Sequence, residues 1–187
     1  EEKLPSIPLN RAPTITGPDT IHLFEGCGEF QQEYIFGGNP APTYGISLTD
    51  PNTANAAFDG NTLTIPEGLD IGSYEVTLYA TNSAGTATKT VTVYVYPVIT
   101  INFVTEIEFF LSRDDNRIDA SGGAGGPYTF NLASGAMPDG LTLNSDGTIT
   151  NDGTATIGIY PQPVTVTVTD CLGNSITTTG MAVRVSN

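Results

Sequence analysis

The 187-residue chain sets 20 acidic side chains against 6 basic ones, a formal charge of −14, and holds one histidine, two cysteines and no tryptophan. Charge of that sign repels phosphate backbones and anionic lipid, so nucleic-acid binding is excluded. No apolar run approaches the ~20 residues that cross a bilayer, so no part of this chain is expected to insert into a membrane.

The opening E-E-K-L-P-S-I-P-L-N-R-A-P has prolines at 5, 8 and 13, which disfavour helix. Residues 1–12 are expected to form an extended stalk, of the kind that gives a surface protein distance from its anchor. D-T-I-H-L-F follows as a strand near a sheet edge and contains His22. F-E-G-C-G-E-F reads as a turn holding Cys27, and G-G-N-P-A-P leads into Tyr44. Two long alternating strands come next, Tyr74 to Thr81 and Thr88 to Tyr96, joined by N-S-A-G. Thr86, Thr88, Thr90 and Thr92 line the outer face of the second of these.

The later half repeats this plan. Leu141, Leu143 and Ile149 alternate with threonines around S-D-G, predicting a short hairpin with those three inward. Val164 to Thr169 and Ile176 to Val185 pair across D-C-L-G-N-S, where Cys171 lies. Phe109-Phe110 places one ring on each face of a strand, so one needs cover. No segment shows a 3.6-residue apolar period, and the predicted class is all-β.

The repeat can be followed residue by residue. Gly37-Gly38 corresponds to Gly122-Gly123, I-G-S-Y (71–74) to I-G-I-Y (157–160), and A-T-N-S-A-G (80–85) to V-T-D-C-L-G (168–173). The offset grows from 86 to 88 because Pro161-Gln162-Pro163 enlarges the second copy, and an even insertion preserves the alternation. Val76, Leu78 and Ala80 therefore map onto Val164, Val166 and Val168 as core residues. Val91, Val93 and Val95, with Met181, Val183 and Val185, supply the opposing layer. The expected domains are 13–97 and 98–187. Their near-zero linker, stiffened by Pro97, implies a limited range of interdomain angles.

Tyr74 and Tyr160 each follow a glycine-containing corner and open a long strand, a position from which the hydroxyl bonds back to the backbone. Catalysis finds little support. A nucleophile–base pair has only His22 to call on, His/Cys metal clusters are missing, and the acidic doublets Asp114-Asp115 and Glu106/Glu108 fit solvated turns and strand faces. The cysteines are too few for a disulfide scaffold and lack C-x-x-C spacing.

In the second half, G-G-P-Y-T-F-N-L, M-P-D-G-L-T-L-N-S-D-G-T-I-T, G-T-A-T-I-G-I-Y and V-T-V-T-V-T-D-C-L-G-N-S succeed one another. This order resembles the bacterial immunoglobulin-like repeats related to dystroglycan-type cadherin-like domains of surface proteins. The first half is similar to immunoglobulin-like and PKD-type repeats but lacks the W-D-F-G-D-G stretch of the latter. The resemblance implies two tandem immunoglobulin-like (cadherin-like) β-sandwiches. In such units the Cys27 turn and the Cys171 turn both face the interdomain junction, which implies a Cys27–Cys171 disulfide and an oxidising compartment, the alternatives being two free thiols or intermolecular pairing. Cadherin-type domains bind calcium at that junction. The D-x-N-D-N linker is absent here, leaving Glu25, Glu29, Glu67, Asp70 and Asp170 as the oxygen ligands that could approach it. No cofactor is implied.

The implied function is that of a non-enzymatic bacterial protein, extracellular or anchored at the cell surface, working in adhesion or as a rigid presenting spacer. Its partner is a protein or glycan at the cell surface. The alternatives are a carbohydrate-binding module, with Tyr44 and Tyr128 as the ligand-facing rings, or ancillary domains of a larger secreted enzyme.

Overall fold

The computed structural model describes residues 9–103, 105–113 and 115–187; Asp114 of the acidic doublet and most of the expected stalk lie outside these. The chain divides into two compact units, Glu1–Tyr96 and Pro97–Asn187. The regular elements of both are strands.

The first unit contains β1 (Arg11–Thr16), β2 (Thr20–Phe24), β3 (Phe30–Glu33), β4 (Ile35–Asn39), β5 (Thr43–Ile46), β6 (Ala57–Asp59), β7 (Thr62–Ile65), β8 (Gly72–Asn82) and β9 (Gly85–Tyr96). One sheet has the order β2-β9-β8-β5, the other β3-β7-β6, and β1 pairs with β4. β1 already begins at Arg11, so the last two residues of the expected stalk belong to a strand. The β8–β9 hairpin runs in unbroken register from Gly72↔Val95 to Asn82↔Gly85, and β2 joins its far side in parallel, with His22 opposite Tyr94. Alternation decides which side chains go in. Val76, Leu78, Ala80, Val91 and Val93 are fully buried, and Tyr34, Leu63 and Ile65 meet them from the other layer. Each buried valine, leucine or isoleucine among them contributes about 1.5–3 kcal/mol by leaving water.

The second unit contains β10 (Thr100–Ile101), β11 (Glu106–Phe110), β12 (Ala120–Ser121), β13 (Thr129–Ser134), β14 (Leu141–Leu143), β15 (Ile149–Asn151), β16 (Gly158–Thr169), β17 (Ser175–Thr177) and β18 (Met181–Ser186). Its main sheet has the order β11-β18-β16-β13, with β17 also on β16 and β11 again parallel to the last strand. β14 and β15 form the hairpin around Ser145-Asp146-Gly147, with Leu143 opposite Ile149. Val164, Val166, Val168, Met181 and Val183 are fully buried, and Phe109 turns into the same core.

The Pro161-Gln162-Pro163 insertion has a direct structural expression. Tyr160 pairs with Val183 but Val164 with Met181, so a step of four residues on β16 opposes a step of two on β18. This bulge carries two extra residues, and the even excess returns Val164 to the core face. The strand expected over 176–185 is interrupted opposite it. β17 stops at Thr177 and β18 starts at Met181, and a Cβ on the intervening Gly180 would stand 2.7 Å from Pro163 Cβ.

Candidate functional site: an aromatic sheet face

On the solvent side of β2 and β9 the threonine row continues into rings. Thr90 and Thr92 are followed on the same face by Tyr94 and Tyr96, and the parallel neighbour β2 adds His22 and Phe24. His22 lies 5.5 Å from Tyr94 and 5.8 Å from Tyr96, and those two are 6.1 Å apart, with all three rings within 14° of parallel. Phe24 extends the group at 5.8 Å from Tyr96. His22 Nδ1 and the Tyr96 hydroxyl are 3.1 Å apart in a hydrogen bond. Period-2 geometry produces this face: burying Ile21, Leu23, Val93 and Val95 sends the intervening side chains outward. Below the rings, threonines pair across the β8–β9 hairpin, Thr81 with Thr86 at 2.9 Å and Thr77 with Thr90 at 3.4 Å.

Tyr44 and Tyr128 occupy dissimilar surroundings. Tyr44 stacks on Phe36 at 3.9 Å and meets the edge of Phe58, a cluster where β4, β5 and β6 come together. Tyr128 donates its hydroxyl to the Gly122 carbonyl at 2.6 Å. Burial and then the charge of Asp170 push its phenol pKa up. Tyr74 donates to the Asp70 carbonyl at 2.8 Å, and Tyr160 to the Thr156 carbonyl at 2.9 Å, each four residues back along the chain. A further tyrosine, Tyr34, is buried and donates to Pro18; burial, with Asp19 nearby, raises its pKa to about 12.

Asp170 is buried and organises the tip of the second unit. Its Oδ1 accepts the N–H groups of Leu172 and Asn174, and its Oδ2 accepts the N–H of Ala124, each at 2.9 Å. Burial raises the pKa of this carboxyl, but the hydrogen bonds from Ala124, Asn174 and Leu172 outweigh it and hold the value below the ordinary range. At the matching place in the first unit, Asn82 donates to the carbonyls of Arg11 and Pro40 and accepts from Ala84 N–H, all at 2.8 Å.

The expected disulfide is not formed, and both cysteines are free. Each is held within its own unit. Cys27 packs against the core of the first, while Cys171 donates its N–H to Gly125 and its thiol to the Ala124 carbonyl, at 3.1 and 3.3 Å. Among the described residues no three His, Cys, Asp or Glu side chains gather as a metal site. Of the acids named for calcium, Asp170 is committed to its loop, Glu29 accepts from Gln31, and Asp70 offers its carbonyl to Tyr74. Of the acids weighed for catalysis, Glu106 pairs with Arg184 at 2.6 Å and Asp115 with Arg113 at 3.0 Å. The Arg113 guanidinium also covers Phe110, 5.6 Å from its ring centre. A cleft of about 650 Å³ in the second unit lies between the Gly135–Asp139 loop and the Tyr160–Pro163 bulge, with mostly apolar walls.

Residues 98–186 match the family described as "Putative Ig domain". Extracellular domains 3–5 of Drosophila OTK superpose with a TM-score of 0.56 at 14% identity, covering 93% of this chain and 62% of that one. The fold is tandem immunoglobulin-like. An I-band fragment of titin matches at 14% identity over 95% of this chain and 66% of its own, with a TM-score of 0.48. A Bacteroides fragilis protein described as a putative alpha-galactosidase/melibiase matches at 17% identity over 46% of this chain and 18% of its own, with a TM-score of 0.38. No curated protein matches the chain.

Proposed function

We propose that this is a non-enzymatic, extracellular adhesion protein of a bacterial surface, and that the His22/Tyr94/Tyr96 face is where it meets its partner. The aromatic face carries the proposal. A solvent-facing strand has no packing reason to exchange threonine for tyrosine, and a contiguous group of rings on such a face, His22 exposed and Tyr94 and Tyr96 half-buried, supports an interaction surface. The immunoglobulin-like fold supports an adhesive reading, since its sheets offer broad faces rather than a deep catalytic pocket. Glu106 and Asp115 are engaged in ion pairs and His22 in ring contacts, which favours binding over turnover.

The test is attachment of cells to surfaces coated with the full chain, compared with the His22→Ala and Tyr94→Ala chains. Both variants are expected to fold normally, because their side chains leave the core, and to lose attachment. Undiminished attachment by both refutes the reading.

A further inference from the structure

We infer that the partner of the aromatic face is a neutral glycan; this rests on the adhesive reading and names its ligand class. The argument begins with charge. The chain carries −14, and the outward residues of β2 and β9 are Thr20, His22, Phe24, Thr86, Thr88, Thr90, Thr92, Tyr94 and Tyr96, with no lysine or arginine among them. A sulfated or carboxylated polymer would meet a like-charged protein with no cation on the contact surface to offset the repulsion. A cationic partner would need a carboxylate cluster on the contact surface, and the outward residues of β2 and β9 include no acid; Glu75 stands opposite Thr92 on β8, and Asp19 and Glu25 flank β2, Asp19 in an ion pair with Lys89.

The remaining choice is between an uncharged protein surface and an uncharged sugar. The composition of the face favours the sugar. Protein-binding patches are enriched in methionine and arginine as well as aromatics, whereas the outward residues of β2 and β9 include neither. The rings are bordered by hydroxyls: Thr20 beside Thr92 across the parallel pair, then Thr90. A pyranose presents the complementary pattern, with C–H groups on its faces and hydroxyls around its rim. The C–H face lies on the rings, and the rim hydroxyls meet the threonine hydroxyls, the Tyr94 hydroxyl and the free edge of the imidazole. Of the exposed aliphatics of this unit, Leu9, Ile35 and Leu48 lie outside β2 and β9, and Ile71 directly precedes β8, whose Gly72 pairs with Val95.

The experiment is a glycan array with the full chain, followed by calorimetric titration with the neutral oligosaccharide bound best. His22→Ala, Tyr94→Ala and Tyr44→Ala are compared, each first checked for an unchanged circular dichroism spectrum. The expected result is binding confined to neutral glycans and insensitive to added salt. Kd should rise about tenfold or more in His22→Ala and Tyr94→Ala, the factor that 1.4 kcal/mol produces, and stay unchanged in Tyr44→Ala. Binding only to acidic glycans, no glycan binding, or loss confined to Tyr44→Ala overturns the inference. If arrays are blank while His22→Ala still abolishes cell attachment, the ligand class is wrong and the adhesive face stands. If attachment is unaffected as well, both fall.

Discussion

Replacing Asp170 by alanine removes acceptors from three backbone N–H groups, those of Ala124, Leu172 and Asn174, at a residue that is only 5% exposed. A hydrogen bond to an ionised acceptor contributes about 1.5–3 kcal/mol. The three share one carboxylate at a loop tip where water can partly replace it, so the summed loss is about 2–4 kcal/mol rather than three full bonds. For a unit of this size that lowers the unfolding temperature by roughly 10 °C or more. Differential scanning calorimetry of the full chain reads it, with the first unit as an internal reference whose transition should not move. The Asp170→Asn chain is expected to be little more stable than Asp170→Ala. Both carboxylate oxygens accept a backbone N–H, so whichever way the replacement amide turns, its NH₂ faces a donor. Acid adds a third arm. Because the folded pKa of Asp170 lies below its unfolded value, its contribution is complete above the ordinary carboxylate range and is lost as pH falls through the lowered value. The Asp170→Ala chain should therefore lose less stability on acidification than the wild type. A shift below about 0.5 kcal/mol, or full stability in Asp170→Asn, would refute the account of this loop.

Four further substitutions probe the same tip and the strand corners. Gly122→Ala should destabilise the second unit by about 2–4 kcal/mol, because φ there is +80° and the new Cβ would stand 2.1 Å from the Val98 carbonyl oxygen. Gly125→Ala, at φ +92° but with nothing within 4 Å, should cost only about 1 kcal/mol in the same melt. Equal losses would show that backbone conformation alone governs the loop. Tyr74→Phe and Tyr160→Phe each delete one hydroxyl-to-carbonyl bond and should each lower the stability of their own unit by about 1 kcal/mol in chemical denaturation. Unchanged midpoints would leave these corners to the ring alone.

The core was legible because side-chain period and backbone period coincide in a strand. Val76, Leu78 and Val166 could be placed inward from spacing alone, and the parity of the proline insertion foretold that Val164 would return to the core face. The binding face was less legible for a related reason. The parity that set Thr86 to Thr92 outward continues through Tyr94 and Tyr96 on the same strand, but these rings become a surface only when β2 supplies His22 from 72 residues away, in parallel. Such pairing leaves no local pattern to read.

Equivalence in the repeat also misleads where contacts are set by loops. Tyr44 and Tyr128 follow matching glycine-proline turns, yet one rests on Phe36 while the other bonds Gly122. Asn82 and Asp170 occupy the same place after a strand and tie the same two kinds of loop, but with opposite polarity. The first unit brings the carbonyls of Arg11 and Pro40 to that point and so requires an NH₂ donor. The second brings the N–H of Ala124 and requires an acceptor. The amino-acid difference follows from which end of a peptide group faces it, and that is decided by the loop across the way. The Cys171 loop shows the same local commitment, closed by Asp170 and by the bonds of Cys171 to Ala124 and Gly125. In a tandem sandwich, strands inherit their role from the repeat, and loop tips take theirs from the hydrogen bonds they must satisfy.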